Sequence, residues 1–244
     1  MKGGNVMPLY CNKEYKKLIR PLPDFTERDM YDIPVIKKQE IDITNLNNGK
    51  WLIGCNNVSY KDKHPEQKIV HMFKYDRVLS MAYNNPDKFL EKTSKYYAIC
   101  TPDFSMDKKM DFPLVLKAVY DNRWMGAYAQ ANGRKVIACV GWTTKETYDI
   151  CFAGLEDGAV FIISTIGSDN KNSNDEFIRG YNEMRTRFPL SKIICVGNKI
   201  QGMDSDICYV KYKESFGNWD RYNNYWQPKL FNWDNSLSEN LICG

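Results

Sequence analysis

The sequence predicts an α/β fold built on a mostly parallel sheet, and two observations carry that expectation. First, four short apolar runs, Tyr96–Cys100, Val136–Val140, Ala159–Ile163 and Lys192–Val196, each end in a small polar cluster. The clusters are Thr101–Ser105, Gly141–Thr144, Ser164–Ser168 and Gly197–Lys199. Second, segments with helical spacing separate the runs, which is the rhythm of strands joined by crossover helices. In such sheets ligands sit beyond the carboxyl ends of the strands, so the polar clusters mark where a site would lie. About seven strand candidates span roughly 160 residues, short of the ~250 that a closed eight-stranded barrel usually takes. A compact or incomplete TIM-like barrel is therefore expected, with an open doubly wound sheet as the alternative.

The elements follow in order. Residues 1–50 are polar, carry Pro21, Pro23 and Pro34, and show no sustained period, so they read as an extension laid over the core. Trp51–Cys55 is the first strand and Val70–Phe73 the second. Tyr75–Tyr83 has a helical pattern that ends at Asn84-Asn85-Pro86, where Pro86 suits the first turn of a new helix. Asp111 and Pro113 open the best-defined helix. Leu116, Tyr120, Arg123, Ala127 and Gln130 share one of its faces, and Asn132-Gly133 ends it. A further helix spans Lys145–Phe152. The last helix is expected to follow Asn174 as its N-cap, with Phe177, Tyr181, Met184 and Phe188 facing the core. Ile207–Tyr212 is a final strand. Residues 51–213 thus form the α/β core, and 214–244 form an aromatic C-terminal tail.

Composition bounds the function only loosely. The formal charge of +4 compels neither a nucleic acid nor a membrane partner. The basic start, with Lys2, Lys13, Lys16, Lys17 and Arg20, reads as a solvated arm. No apolar run approaches the ~20 residues of a membrane helix, and the N-terminus lacks the apolar stretch of a signal peptide. Cys100, Cys139 and Cys195 lie inside strand runs, where cysteine behaves as a small buried hydrophobe. A reduced, cytoplasmic protein is expected.

Several words occur in a fixed order: TPDFS from Thr101, NRWMGAYAQANG from Asn122, VIACVGW from Val136, DICFAGLEDGAVFIISTIG from Asp149 and GYNEM from Gly180. Over about Lys68 to Tyr212 this series resembles domain-of-unknown-function family 4417, found in phages, mobile elements and genomes of low-GC Gram-positive bacteria. The resemblance implies a phage or mobile-element protein working in a bacterial cytoplasm. It implies no particular activity.

The candidate chemistry is read from individual residues. Arg123 shares a face with apolar neighbours, and a buried guanidinium needs an anionic partner, for which Asp103 is the candidate. The pair is either structural or part of a phosphate or carboxylate site that includes Ser105. Trp142 follows a strand and could stack on a base or sugar, with Trp124, Tyr128 and Gln130 as further contacts; packing of helix against sheet is the alternative. Thr165, Ser168 and Asn198 complete the strand-end set, but the loop lacks the GxxxxGK[ST] and GxGxxG spacings. Asp103, Asp107 and Asp111 cluster after one strand and could hold Mg²⁺. Zinc is not expected, because His64 and His71 are the only histidines and no CxxC pair occurs.

Tyr209–Trp233 holds nine aromatics interleaved with Lys211, Lys213, Arg221 and Lys229. Such a tail can stack on single-stranded nucleic acid. It can also anchor a protein interface through Trp219, Arg221, Tyr225, Trp226 and Trp233, or seal the core. Three functions stay open. The first is a binding protein for a nucleotide or nucleic acid at the strand ends. The second is a counter-defence factor that occupies a host defence protein. The third is a hydrolase or phosphodiesterase with Asp103 as base or metal ligand.

Overall fold

A computed structural model describes residues 17–44, 46, 52–166 and 171–212 of the chain. Seven short strands lie in one sheet: β1 Leu52–Gly54, β2 Ile69–His71, β3 Ala98–Cys100, β4 Val136–Cys139, β5 Val160–Ser164, β6 Lys192–Val196 and β7 Cys208–Val210. Every pairing is parallel, and the spatial order equals the chain order. Each crossover therefore moves one strand along in the same direction. The strand order never reverses, so the switch point of a doubly wound sheet is absent, and the sheet curls into a half-barrel instead. β1 and β7 each have a single neighbour within it.

The crossover helices are α1 Asp76–Asn84, α2 Pro86–Lys92, α3 Phe112–Ala131, α4 Tyr148–Cys151 and α5 Lys171–Arg187. They cover the convex face, where Ile99, Ala138, Phe161 and Cys195 meet Leu79, Trp124, Phe152 and Tyr181. The concave face is apolar as well. Leu52, Cys100, Ile137, Ile162 and Val196 fill it with Ile41 and Leu46 from the N-terminal segment. Burial on both faces explains why the strands read as continuous apolar runs rather than as alternation.

Residues 17–44 run over this core as a strap. The Arg20 guanidinium lies 3.8 Å over the Tyr83 ring and donates to the Tyr83 carbonyl at 2.7 Å. Trp124 Nε1 donates to the Arg20 carbonyl at 2.7 Å. Further along, Ile36 forms an isolated parallel bridge with Leu155. Gly154 permits this crossing: its φ is +68°, and a Cβ there would lie 2.6 Å from the Pro34 carbonyl oxygen. Gln39 then accepts the Val136 N–H at the start of β4, at 2.9 Å.

The strap changes how α3 is buried. The helix starts at Phe112 after Asp111, with Pro113 in its first turn, and closes at Asn132 before Gly133 at φ +74°. Its buried stripe is Val115, Val119, Asn122, Gly126 and Ala129, one position from the expected face; Leu116, Tyr120 and Gln130 are only half-buried. Sheet and strap enclose the middle of the helix from both sides, so 121–127 are all buried. The last helix also departs from expectation. Asn174 lies within the helix, described from Lys171 to Arg187, and so does not cap it. The stripe of Tyr181, Met184 and Phe188 faces the core as expected.

Candidate functional site

Because every strand is parallel, Thr101–Ser105, Gly141–Thr144, Thr165 and Gly197–Lys199 share one end of the sheet. Thr101, 2% exposed, accepts the Cys139 N–H at 2.8 Å and so extends the β3–β4 pairing through its hydroxyl. Two residues on, Asp103 Oδ1 accepts from the Cys139 thiol at 3.4 Å. The carboxyl group borders a cavity of about 10 Å³ lined by Phe104, Met106, Asn122, Arg123 and Gly141, room for about one water. Burial pushes the Asp103 pKa up from 3.8 to about 6; the nearby charge of Asp76 adds to the shift and the Cys139 hydrogen bond opposes it. Burial also raises the Cys139 thiol, with Asp103 adding to the effect, so Cys139 is protonated at neutral pH.

Arg123 is 1% exposed, as its place among apolar neighbours predicts, but Asp103 is not its partner. Nε donates to the Ala153 carbonyl at 2.9 Å and Nη2 to the Cys151 carbonyl at 2.7 Å. Nη1 donates to Asn122 Oδ1 at 2.6 Å and to the Cys139 carbonyl at 3.3 Å. Among the described residues no carboxylate lies within salt-bridge distance of it. The expected Arg123–Asp103 pair is therefore replaced by carbonyls. The physical reason is the end of α4: its last carbonyls have no intrahelical partner and carry the negative end of the helix dipole. Asn122 completes the joint by donating to the Pro102 carbonyl at 2.7 Å and the Cys139 carbonyl at 3.0 Å. Arg123 stays charged at pH 7, its pKa lowered by burial to about 10.

The other expected contacts divide by location. Trp142 packs inward, with its ring 4.9 Å from Phe177 and 6.1 Å from Phe152. Its indole lies against Gly180 of α5, where a Cβ would come within 2.6 Å of Trp142 Cγ and nearer still to Cδ1 and Nε1. Gly180→Ala should therefore destabilise the fold by about 1–3 kcal/mol, although alanine is the better helix former. Chemical denaturation checks this, and an unchanged midpoint would mean the indole is free to move. Thr165 is buried and donates to the Asn198 carbonyl at 2.9 Å, tying the ends of β5 and β6, while the Asn198 side chain is exposed. Ser105 donates to Asp76 Oδ1 at 3.0 Å through both its N–H and its hydroxyl. Ser168 and the tail residues Trp219, Arg221, Tyr225, Trp226 and Trp233 lie outside the described residues.

Trp124, Tyr128 and Gln130 belong elsewhere. α3 runs antiparallel to the strands, so its C-terminal half sits toward their amino ends; Gln130 is about 10 Å along the axis from Arg123. Trp124 stacks on Tyr128 at 4.9 Å, Tyr128 donates to Asp87, and Gln130 bonds the Lys37 backbone. Asp103, Asp107 and Asp111 do not converge either. Asp107 accepts the Lys109 N–H at 2.8 Å, and no group of three or more metal-capable side chains occurs among the described residues. No helix among them is long and apolar enough to cross a membrane. The six cysteines among them are free and buried.

Tyr75 of this rim escapes the sequence reading, and Tyr212 enters it only as part of the aromatic stretch Tyr209–Trp233. Tyr75 stands at the N-cap of α1, four residues past β2, and is 56% exposed. Tyr212 stands two residues past β7 and is 37% exposed. Each follows a lysine, Lys74 and Lys211. Burial raises the Tyr212 phenol, and Tyr75 is near enough to contribute.

No solved structure matches the chain. Two curated relatives do. The Gene 1 protein of Mycobacterium phage L5 is 31% identical over 153 residues, covering 62% of this chain and 66% of the relative. The Gene 1 protein of Mycobacterium phage D29 is 29% identical over 153 residues, covering 62% of this chain and 56% of the relative. The match therefore spans less than two thirds of either phage protein. A family profile described as "Domain of unknown function (DUF4417)" matches residues 25–213, which include the strap from Phe25 onward and every strand of the half-barrel. The chain belongs to the DUF4417 family.

Proposed function

We propose that the protein is a phage- or mobile-element-encoded binding protein that takes a nucleotide or nucleic acid across the carboxyl ends of its strands. The phage relatives supply the biological setting. The observation that carries the ligand class is the charge of the rim. Lys109, Lys145, Lys199 and Lys211 are exposed in the loops after β3, β4, β6 and β7, and none makes a salt bridge among the described residues. At this end Asp76 accepts from Ser105 and Asp107 from the Lys109 N–H. Phosphates would neutralise the lysines. If four lysines each meet one phosphate of a single strand, affinity should fall about 50-fold between about 50 and 200 mM salt. Anisotropy titration with a labelled single-stranded oligonucleotide measures this, and no binding at the lower salt overturns the proposal.

A second reading rests on Asp103. A carboxyl group with a pKa of about 6 at a strand carboxyl end suits proton transfer in a hydrolase or phosphodiesterase. Turnover of an activated phosphodiester by the wild type, lost in Asp103→Asn, would favour it over simple binding. The counter-defence reading depends on the aromatic tail beyond Tyr212.

A further inference from the structure

We propose that residues 104–110 form a lid over the Asp103 carboxyl, with Met106 as its plug and an exposed latch at each side. This deepens the second reading above, in which Asp103 works on a ligand, and rests on it. The cavity beside Asp103 is walled by Phe104 and Met106 of this loop, and by Asn122, Cys139 and Gly141 of the fold beneath. Met106 seats its methyl against Gly141, where a Cβ would lie 3.0 Å from Met106 Cε. The cavity, about 10 Å³, admits a water but not a phosphodiester. A ligand therefore reaches the cavity side of Asp103 only when the loop moves.

The way the loop is held makes it a lid. Its ends are fixed: the Asp103 N–H donates to the Met72 carbonyl at 3.4 Å, and α3 begins at Phe112. Between them, among the described residues, its one backbone–backbone hydrogen bond is internal, from the Met110 N–H to the Asp107 carbonyl at 3.0 Å. Its polar ties to the rest of the fold end on exposed side chains. Ser105 donates to Asp76 Oδ1 at 3.0 Å through its N–H and its hydroxyl. On the other side Lys108 Nζ lies 3.1 Å from Glu176 Oε1 of α5, and both side chains are about half exposed. Such solvated ties are weak. Phe104 packs edge-on to Tyr83 at 5.8 Å, and Met106 packs against the cluster of Ile33, Val119, Ile150 and Ala153, so apolar contact closes the lid. A segment with few backbone bonds to its surroundings opens at less cost than the whole fold.

Cys139 reports the opening. Its thiol lines the cavity, bonds Asp103 and is 3% exposed. Cys195, 0% exposed in β6, is the reference, because wider unfolding of the sheet is needed to reach it. The two fall on separate tryptic peptides, residues 136–145 and 193–199. N-ethylmaleimide labelling of the native full chain is therefore read at both sites by mass spectrometry. In the wild type Cys139 should label about tenfold or more faster than Cys195. The Asp76→Ala/Lys108→Ala variant loses both latches, so Cys139 should label about tenfold faster again while Cys195 keeps its rate. Equal rates at the two cysteines of the wild type overturn the lid, as does a double variant that speeds both sites alike or neither. The wild-type comparison needs no variant, so it decides the matter even if the double variant folds poorly. Labelling needs no ligand, so its outcome is separate from that of the parent reading, which fails if the wild type turns over no activated phosphodiester.

Discussion

Arg123→Ala is expected to destabilise the fold by about 3–5 kcal/mol, a large part of the 5–15 kcal/mol that holds a typical domain together. The loss does not come from a broken ion pair. Arg123 donates to the carbonyls of Ala153, Cys151 and Cys139 and to Asn122 Oδ1, and all four lie in the buried joint between α3, the end of β4 and the end of α4. A buried acceptor left without a donor costs about 1–3 kcal/mol. Water entering the small cavity beside Asp103 would recover some of this, which keeps the total below the sum of four. Arg123→Lys should restore little, because an ammonium is a point donor and cannot span acceptors arranged around a planar fork. Thermal melts of the two variants provide the check. A drop of about 10 °C or more is expected for alanine, and a melt within about 2 °C of wild type would show that the joint is held by packing alone.

The fold is legible to the extent that local pattern encodes it. Strands buried on both faces give continuous apolar runs, so β3, β4, β5 and β6 stand out in the amino-acid sequence. Whether they close toward a barrel or open into a doubly wound sheet is not legible, since strand order is a tertiary property that leaves no trace in the runs. The phase of α3 fails for a related reason. A helix covered by a sheet on one side and a strap on the other is apolar nearly all round, and its spacing then supports more than one stripe. Arg123 shows the same division. Its burial follows from its neighbours, but its partners do not, because backbone carbonyls have no sequence signature. Gln130 shares its expected face but lies toward the opposite end of the sheet.

Asp103→Asn is expected to act in the opposite direction to Arg123→Ala and to stabilise the protein at pH 7–8 by about 2–3 kcal/mol. The folded pKa of Asp103 is raised from 3.8 to about 6. Below about pH 4 the acid is protonated in the folded and unfolded chains alike, and the native state bears no penalty. As pH rises from about 4 to about 6 the unfolded chain gives up the proton first, so stability falls with increasing pH. Above about 6 the full cost of the buried charge is present. Asparagine removes the charge, keeps the shape and still offers Oδ1 to the Cys139 thiol. The stability difference between variant and wild type should therefore be near zero at pH 4 and grow to its full value by pH 7; a difference that stays flat over that range would mean the carboxyl is solvated. Proteins hold such costly groups where function needs them. If Asp103→Asn gains stability and loses oligonucleotide affinity or phosphodiester turnover, the carboxyl belongs to the working site. If it gains stability and loses neither, the site lies wholly on the rim of lysines.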